Sequence, residues 1–203
     1  MIRTPKSEID DRLISFQGLL QRDEVDVAVI RQNADLFYFT GTVQDAHLIV
    51  PASGAPLFLV RRDVVRAGEQ SPIRPIHPLS SVKDLPQAIS EVCGHSPPKR
   101  LGLELDVLPA NTFFFFDQKL FPKQQIVDIS GSVRQVRMVK SPWEIEMMRR
   151  AGAVSRAVAD AVPTILREGI SELDLSIELE SVARRAGHLG LLRLRGFNMD
   201  MYF

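Results

Sequence analysis

VRMVKSPWEIEMMRRAGAVS, Val136 to Ser155, divides the chain. Ser141 stands where a helix N-cap is expected. Pro142 takes the first helical position, where a missing N–H costs nothing, and Glu144, three residues after the cap, completes a capping box. The helix that starts here carries an apolar stripe of Met147, Ala151, Val154, Val158, Val162 and Ile165 at steps of three and four. Pro163 is expected to kink or end it, because an interior proline removes a backbone donor and crowds the preceding turn. Gly169 then breaks the chain before ISELDLSIELESVARRAG. In that segment Leu173, Leu175, Ile177 and Leu179 alternate as strand residues do. Ser171, Asp174 and Gly187 supply cap signals, and Leu175, Leu179, Val182 and Ala186 fall at helical spacing, so a helix is expected. The closing RLRGFNMDMYF, Arg193 to Phe203, reads as the beginning of a strand.

Upstream of the dividing stretch, helices and strands alternate. Ile9, Leu13, Phe16 and Leu20 predict an amphipathic helix from Ser7 to Gln21 with Ser7 as its N-cap. Val25, Val27 and Val29 alternate like a strand, and HLIVP and PLFLV on either side of Ala52-Ser53-Gly54-Ala55 predict an antiparallel hairpin. Further on, Arg62–Gln70 suits a short helix, Ile73–Ile76 a strand, and Ser81–Val92 a helix closed by Gly94. LGLEL (Leu101–Leu105) reads as a strand, Pro109–Leu120 as a helix and IVDIS (Ile126–Ser130) as a strand. Strands separated by helices of this length imply an α/β layer with crossover connections, and the early hairpin makes the sheet mixed.

The 203 residues suffice for one full domain and part of another, and 45% hydrophobic residues support a real core. Lys plus Arg and Asp plus Glu both number 25. That balance offers neither nucleic acid nor an acidic membrane an electrostatic footing, and neither is expected as a partner. The single cysteine, Cys93, permits no intrachain disulfide. With a start, MIRTPKSEIDDR, that lacks an apolar core, it leads us to expect a cytoplasmic protein.

Local patterns reveal no active site. The histidines, His47, His77, His95 and His188, are far apart in sequence and form no metal-binding pair on a helix. Neither common glycine-rich phosphate loop is present. Cys93 with His95 reads better as a small thiol facing a core than as a nucleophile. Glu144 and Glu146, two apart on a helix, point in different directions. The run Phe113–Phe116 reads as packing surface. No catalytic, cofactor-binding or metal-binding residue is assigned.

The order of segments is more informative. NADLFYFTGTVQDAHLIVP, VRMVKSPWEIEMMRRAGAVS, EGISELDLSIELE and RGFNMDM together resemble the creatinase, prolidase and Xaa-Pro aminopeptidase family of metallopeptidases. The resemblance implies an α/β fold: residues 1–134 a creatinase/prolidase-type N-terminal domain, a mixed sheet flanked by helices, and residues 135–203 the first helices of a pita-bread α+β catalytic domain, incomplete here. It implies that the full-length parent hydrolyses Xaa-Pro bonds with two divalent metals, manganese or cobalt with zinc as a further choice. These would be held by two Asp, one His and two Glu downstream of this chain. Asp200 does not match the first ligand's motif, so this chain is expected to be inactive and to bind no metal. The N-terminal domain of such enzymes usually mediates dimer contacts and approaches the neighbouring subunit's active site. A homo-oligomer, a dimer as the simplest case, is therefore expected, with Tyr38, Phe39 and His47 facing the partner. Two alternatives stand beside this reading: a natural short binding or oligomerisation module, and a creatinase-like hydrolase fragment.

Overall fold

The computed structural model describes the backbone of residues 2–193, 195 and 200–202, and the side chains of 2–190 and 195. Two compact units emerge, residues 1–139 with 195–197, and residues 140–194 with 198–203.

The first unit is built on a six-stranded mixed sheet. Its elements are α1 (Lys6–Arg22), β1 (Val27–Ile30), α2 (Asn33–Thr40), β2 (Ala46–Pro51), β3 (Leu57–Val60), α3 (Val64–Gln70), β4 (Ile76–Pro78), α4 (Leu85–Val92), β5 (Arg100–Leu103), α5 (Ala110–Phe115), β6 (Gln125–Asp128) and α6 (Ser130–Met138). The strand order is β4-β3-β2-β1-β5-β6. The expected hairpin is β2–β3, antiparallel with His47 opposite Leu59, and β1 pairs antiparallel with β2 but parallel with β5.

Alternation along the strands splits the core between the two faces. Ala28, Ile30, Leu48, Val50, Phe58 and Val60 join Ile9, Leu13, Phe16 and Leu20 of α1 and Leu36 and Phe39 of α2. On the other face Val27, Val29, Ile49 and Leu59 meet Leu85, Ile89, Phe116 and Phe121. Each large side chain so buried contributes roughly 1.5–3 kcal/mol. Gly102 of β5 is required by a close approach, since a Cβ there would lie 2.4 Å from Ile129 Cγ2.

Several local expectations are corrected. The N-cap of α1 is Pro5, whose extended backbone (φ −60°, ψ 150°) turns the chain into the helix, so Ser7 falls inside the first turn. α2 has no counterpart in the periodicity because it is only eight residues long. The Gln32 side chain nonetheless accepts from the N–H groups of Ala34 (2.6 Å) and Asp35 (3.0 Å), and Gly41 closes the helix at φ +76°. β4 lies at Ile76–Pro78, later than expected, where it pairs in parallel with β3. The helix from Pro109 divides into α5 and a π-helical turn, Phe116–Leu120. β6 stops at Asp128 because its carboxylate accepts the N–H of Ser130 (2.9 Å) and opens α6. α6 crosses the 134/135 boundary expected from sequence, and the first unit takes it whole.

The second unit consists of α7 (Pro142–Ile165), α8 (Glu172–Arg185) and two short antiparallel strands, β7 (Leu191–Arg193) and β8 (Asp200–Tyr202). The capping box is formed: Ser141 Oγ accepts from Glu144 N at 3.1 Å and Glu144 Oε2 from Ser141 N at 2.9 Å. Pro163 sits in the last turn, and α7 ends two residues later. ISELDL resolves as helix, with Ser171 Oγ accepting from Asp174 N at 3.0 Å. Among the residues of α7 and α8 none is fully buried. The part of the closing motif from Gly196 to Met199 lies outside the described residues.

Candidate functional site

In the first unit the chain leaves β1 toward β2 on one side, whereas β5 leads to β6 on the other. The carboxyl ends of these neighbouring parallel strands therefore form a topological switch point, where α/β sheets place ligands. Four segments meet there: Arg31-Gln32 after β1, Glu104 to Asp106 after β5, Asp128 to Ser130 after β6, and the first turn of α2.

Glu104 is buried, and its Oε2 accepts the N–H groups of Arg31 (2.8 Å) and Gln32 (3.0 Å). Its Oε1 has no donor among the described residues. Burial first, and then the neighbouring Asp35 carboxyl, push Glu104 up to about 8, against the pull of the two backbone donors. Asp35 is fully buried and receives Arg137 on Oδ1 and Arg195 Nε on Oδ2 at 2.5 Å. Arg195 also reaches Asp106, as does Arg134 at 2.5 Å. Burial would raise Asp106, but Arg195, Ser130 and Arg134 outweigh it and hold the carboxyl below its ordinary range. Ser130 Oγ lies 2.6 Å from Asp106 and 2.5 Å from Asp128. Breaking the buried Asp35–Arg195 pair by removing one partner costs about 3–5 kcal/mol. These acids are engaged by guanidinium groups and backbone donors, and the network ties strand ends to α2 and α6.

The three residues expected to face a partner are separated by the sheet. Phe39 is fully buried on the α1 side, its ring 5.0 Å from Phe16 and edge-on to Tyr38 at 5.1 Å. Tyr38, partly buried, lies under the guanidinium of Arg12 (4.2 Å) and near that of Arg137 (5.4 Å), and its hydroxyl donates to Val136 O at 3.4 Å. His47 lies on the opposite face, stacked 6.5 Å from Phe116, with neither ring nitrogen partnered among the described residues. Burial, followed by the charge of Arg31, pushes it down to about 4; Asp45 opposes this and Arg61 adds to it.

Sequence reasoning missed Asp35, Glu104, Asp106, Arg137 and Arg195. One signal was present: Glu104 interrupts the apolar run of LGLEL, and an acid inside a strand end must find donors.

The chemistry of the donor set does not fit a dinuclear metal centre. Among the described residues no three His, Cys, Asp or Glu side chains come together as metal ligands, and Asp35 and Asp106 are already held by arginines. Among the same residues no helix is long and apolar enough to cross a membrane.

An uncharacterized hydrolase/peptidase of Sinorhizobium fredii is 27% identical, over 89% of this chain and 51% of its own length. An Xaa-Pro dipeptidase of Bacillus anthracis superposes with a TM-score of 0.80 at 19% identity, over 89% of this chain and 50% of that one. The dipeptidase PepE of Mycobacterium ulcerans superposes at 0.75 and 22% identity, over 94% of this chain and 53% of that one. The chain thus spans about half the length of the curated relatives it matches. The model of the Creatinase/Prolidase N-terminal domain matches residues 12–139, which takes in the whole sheet and the switch point at its edge, and the chain belongs to that family.

Proposed function

We propose that the protein to which this chain belongs is a metallopeptidase that hydrolyses Xaa-Pro bonds with two divalent metal ions, manganese or cobalt with zinc as a further choice. Its metal ligands lie outside these residues. In this reading residues up to Val139 form a non-catalytic domain, α7 and α8 open the pita-bread domain, and the 203-residue chain alone is inactive. The observation that carries the reading is that similarity to peptidases runs through both units and spans half of each relative. Apolar residues outside those stripes support it: Ile145 and Met148 of α7 and Leu173 and Ile177 of α8 are exposed, as expected of helices that a further layer covers. We further propose that the protein is cytoplasmic and assembles as a homodimer to which the first unit contributes. Of the three candidates Tyr38 alone retains surface and is the one proposed to face the partner, since Phe39 and His47 are buried on opposite faces of the sheet.

The test compares this chain with a version extended by the downstream coding sequence. Hydrolysis of an Xaa-Pro dipeptide and stoichiometric manganese binding are expected from the longer protein alone. Turnover with metal bound by the 203 residues would overturn the division of labour, and a longer protein inactive on Xaa-Pro dipeptides but active on a small amidino compound would move the parent to the creatinase-like alternative. Light scattering of the longer protein checks the dimer, and a monomer at assay concentration would sink it.

A further inference from the structure

We propose that Glu104 carries a proton and donates it from Oε1 to the Asp35 carboxyl, latching α2 to the carboxyl end of β5 by a hydrogen bond that deprotonation breaks. The two oxygens of Glu104 are unequal. Oε2 takes two backbone N–H donors, whereas Oε1 is buried with no donor among the described residues. Asp35, its hydrogen-bonding neighbour, is fully buried and takes a guanidinium on each oxygen. With Glu104 ionised, two acceptors of like charge would face each other away from water, which is costly on both counts. One proton on Oε1 removes the repulsion and supplies the missing donor. Carboxyl pairs at hydrogen-bond distance share a proton for this reason.

The charged groups around the pair come from every neighbouring segment. After β1 stands Arg31, whose charge favours ionised Glu104; its own neighbours are Asp45 before β2, Arg61 after β3 and the buried His47. α6 supplies Arg137 and Arg134, the segment after β5 supplies Asp106, and Arg195 bridges Asp35 and Asp106. Burial and Asp35 outweigh Arg31 and the two backbone donors, and the net upward shift of Glu104 agrees with the geometry. When solvent base removes the proton, the charge left on Glu104 repels Asp35 and loosens the first turn of α2. One turn further along, the same helix carries Tyr38 between Arg12 and Arg137. The latch thus couples proton concentration to a partly exposed aromatic.

Carboxyl-labelled glutamate followed by NMR through a pH titration tests the proposal. One glutamate is expected to titrate near pH 8, apart from the rest, and Glu104→Gln should delete that signal. Amide exchange across residues 33–40, corrected for intrinsic base catalysis, should accelerate at least tenfold across the same midpoint in the wild-type chain. In Glu104→Gln, whose amide still donates to Asp35, it should stay flat. All glutamates titrating in the ordinary range, or exchange at 33–40 indifferent to the midpoint, would overturn the latch. Should Glu104→Gln fold poorly, the wild-type titration and exchange decide alone.

Discussion

The first unit and the α7–α8 pair have equally legible apolar patterns and opposite outcomes. In α1, Ile9, Phe16 and Leu20 are fully buried because a sheet lies beneath them. α7 is longer and better capped, yet it packs on α8 with no residue of either helix fully buried. An amphipathic stripe states that a face wants cover, and the cover itself is a property of the other layer. Most helix stability in proteins comes from that packing and little from propensity, so the two regions should respond very differently to the same substitution.

The sharpest test of this contrast is a pair of truncations. Phe16→Ala should cost about 3–5 kcal/mol in chemical denaturation, because its ring is wholly buried against Phe39. Val158→Ala in α7 should cost under about 1 kcal/mol, and equal losses would break the comparison. Next in size, Gly102→Ala should cost about 1–3 kcal/mol by forcing a methyl against Ile129, with the sheet as the part that melts early.

The pH dependence of the first unit follows from two buried groups of opposite sign. His47, pushed down to about 4, contributes stability that is full above its unfolded value near 6.5 and is lost as pH falls toward 4. Glu104, raised to about 8, contributes stability that is full below its unfolded value of 4.5 and is lost as pH rises through 8. Each slope is at most about 1.4 kcal/mol per pH unit. The two cancel between about pH 4.5 and 6.5, leaving a plateau, and stability declines from there to about 8. His47→Leu should convert the plateau into a continuous decline, and Glu104→Gln into a rise from pH 4 to 6.5. A plateau unchanged in both variants would refute the assignment.

Smaller effects belong to the second unit. Ser141→Ala removes the acceptor for Glu144 N and should cost about 1 kcal/mol, read as fraying of the first turn of α7 by amide exchange. Asp160→Ala deletes an exposed pair with Arg156 and should shift stability by no more than about 0.5 kcal/mol.

Legibility followed the range of the interactions. The hairpin, the capping box and the α1 stripe are local patterns, and each was found where the residues pointed. α2 escaped because eight residues hold barely two turns and its start depends on one glutamine side chain. The switch-point network escaped almost entirely: Asp35, Glu104, Arg137 and Arg195 are separated by tens of residues, and nothing in their own neighbourhoods announces that they meet. Tyr38, Phe39 and His47 lie close in sequence, yet strand alternation and the course of α2 put His47 on one face of the sheet and Phe39 on the other.

By itself the sequence determined the alternation of elements, the capped start of α7 and the family resemblance, because hydrophobic period, turn residues and caps act over a few residues. Only the tertiary structure decided the strand order β4-β3-β2-β1-β5-β6, which stripes are covered, and which acid is left with an oxygen that lacks a donor. Those outcomes depend on burial and on charges brought together from distant segments, and the free energy of a buried carboxyl is set by what surrounds it in space.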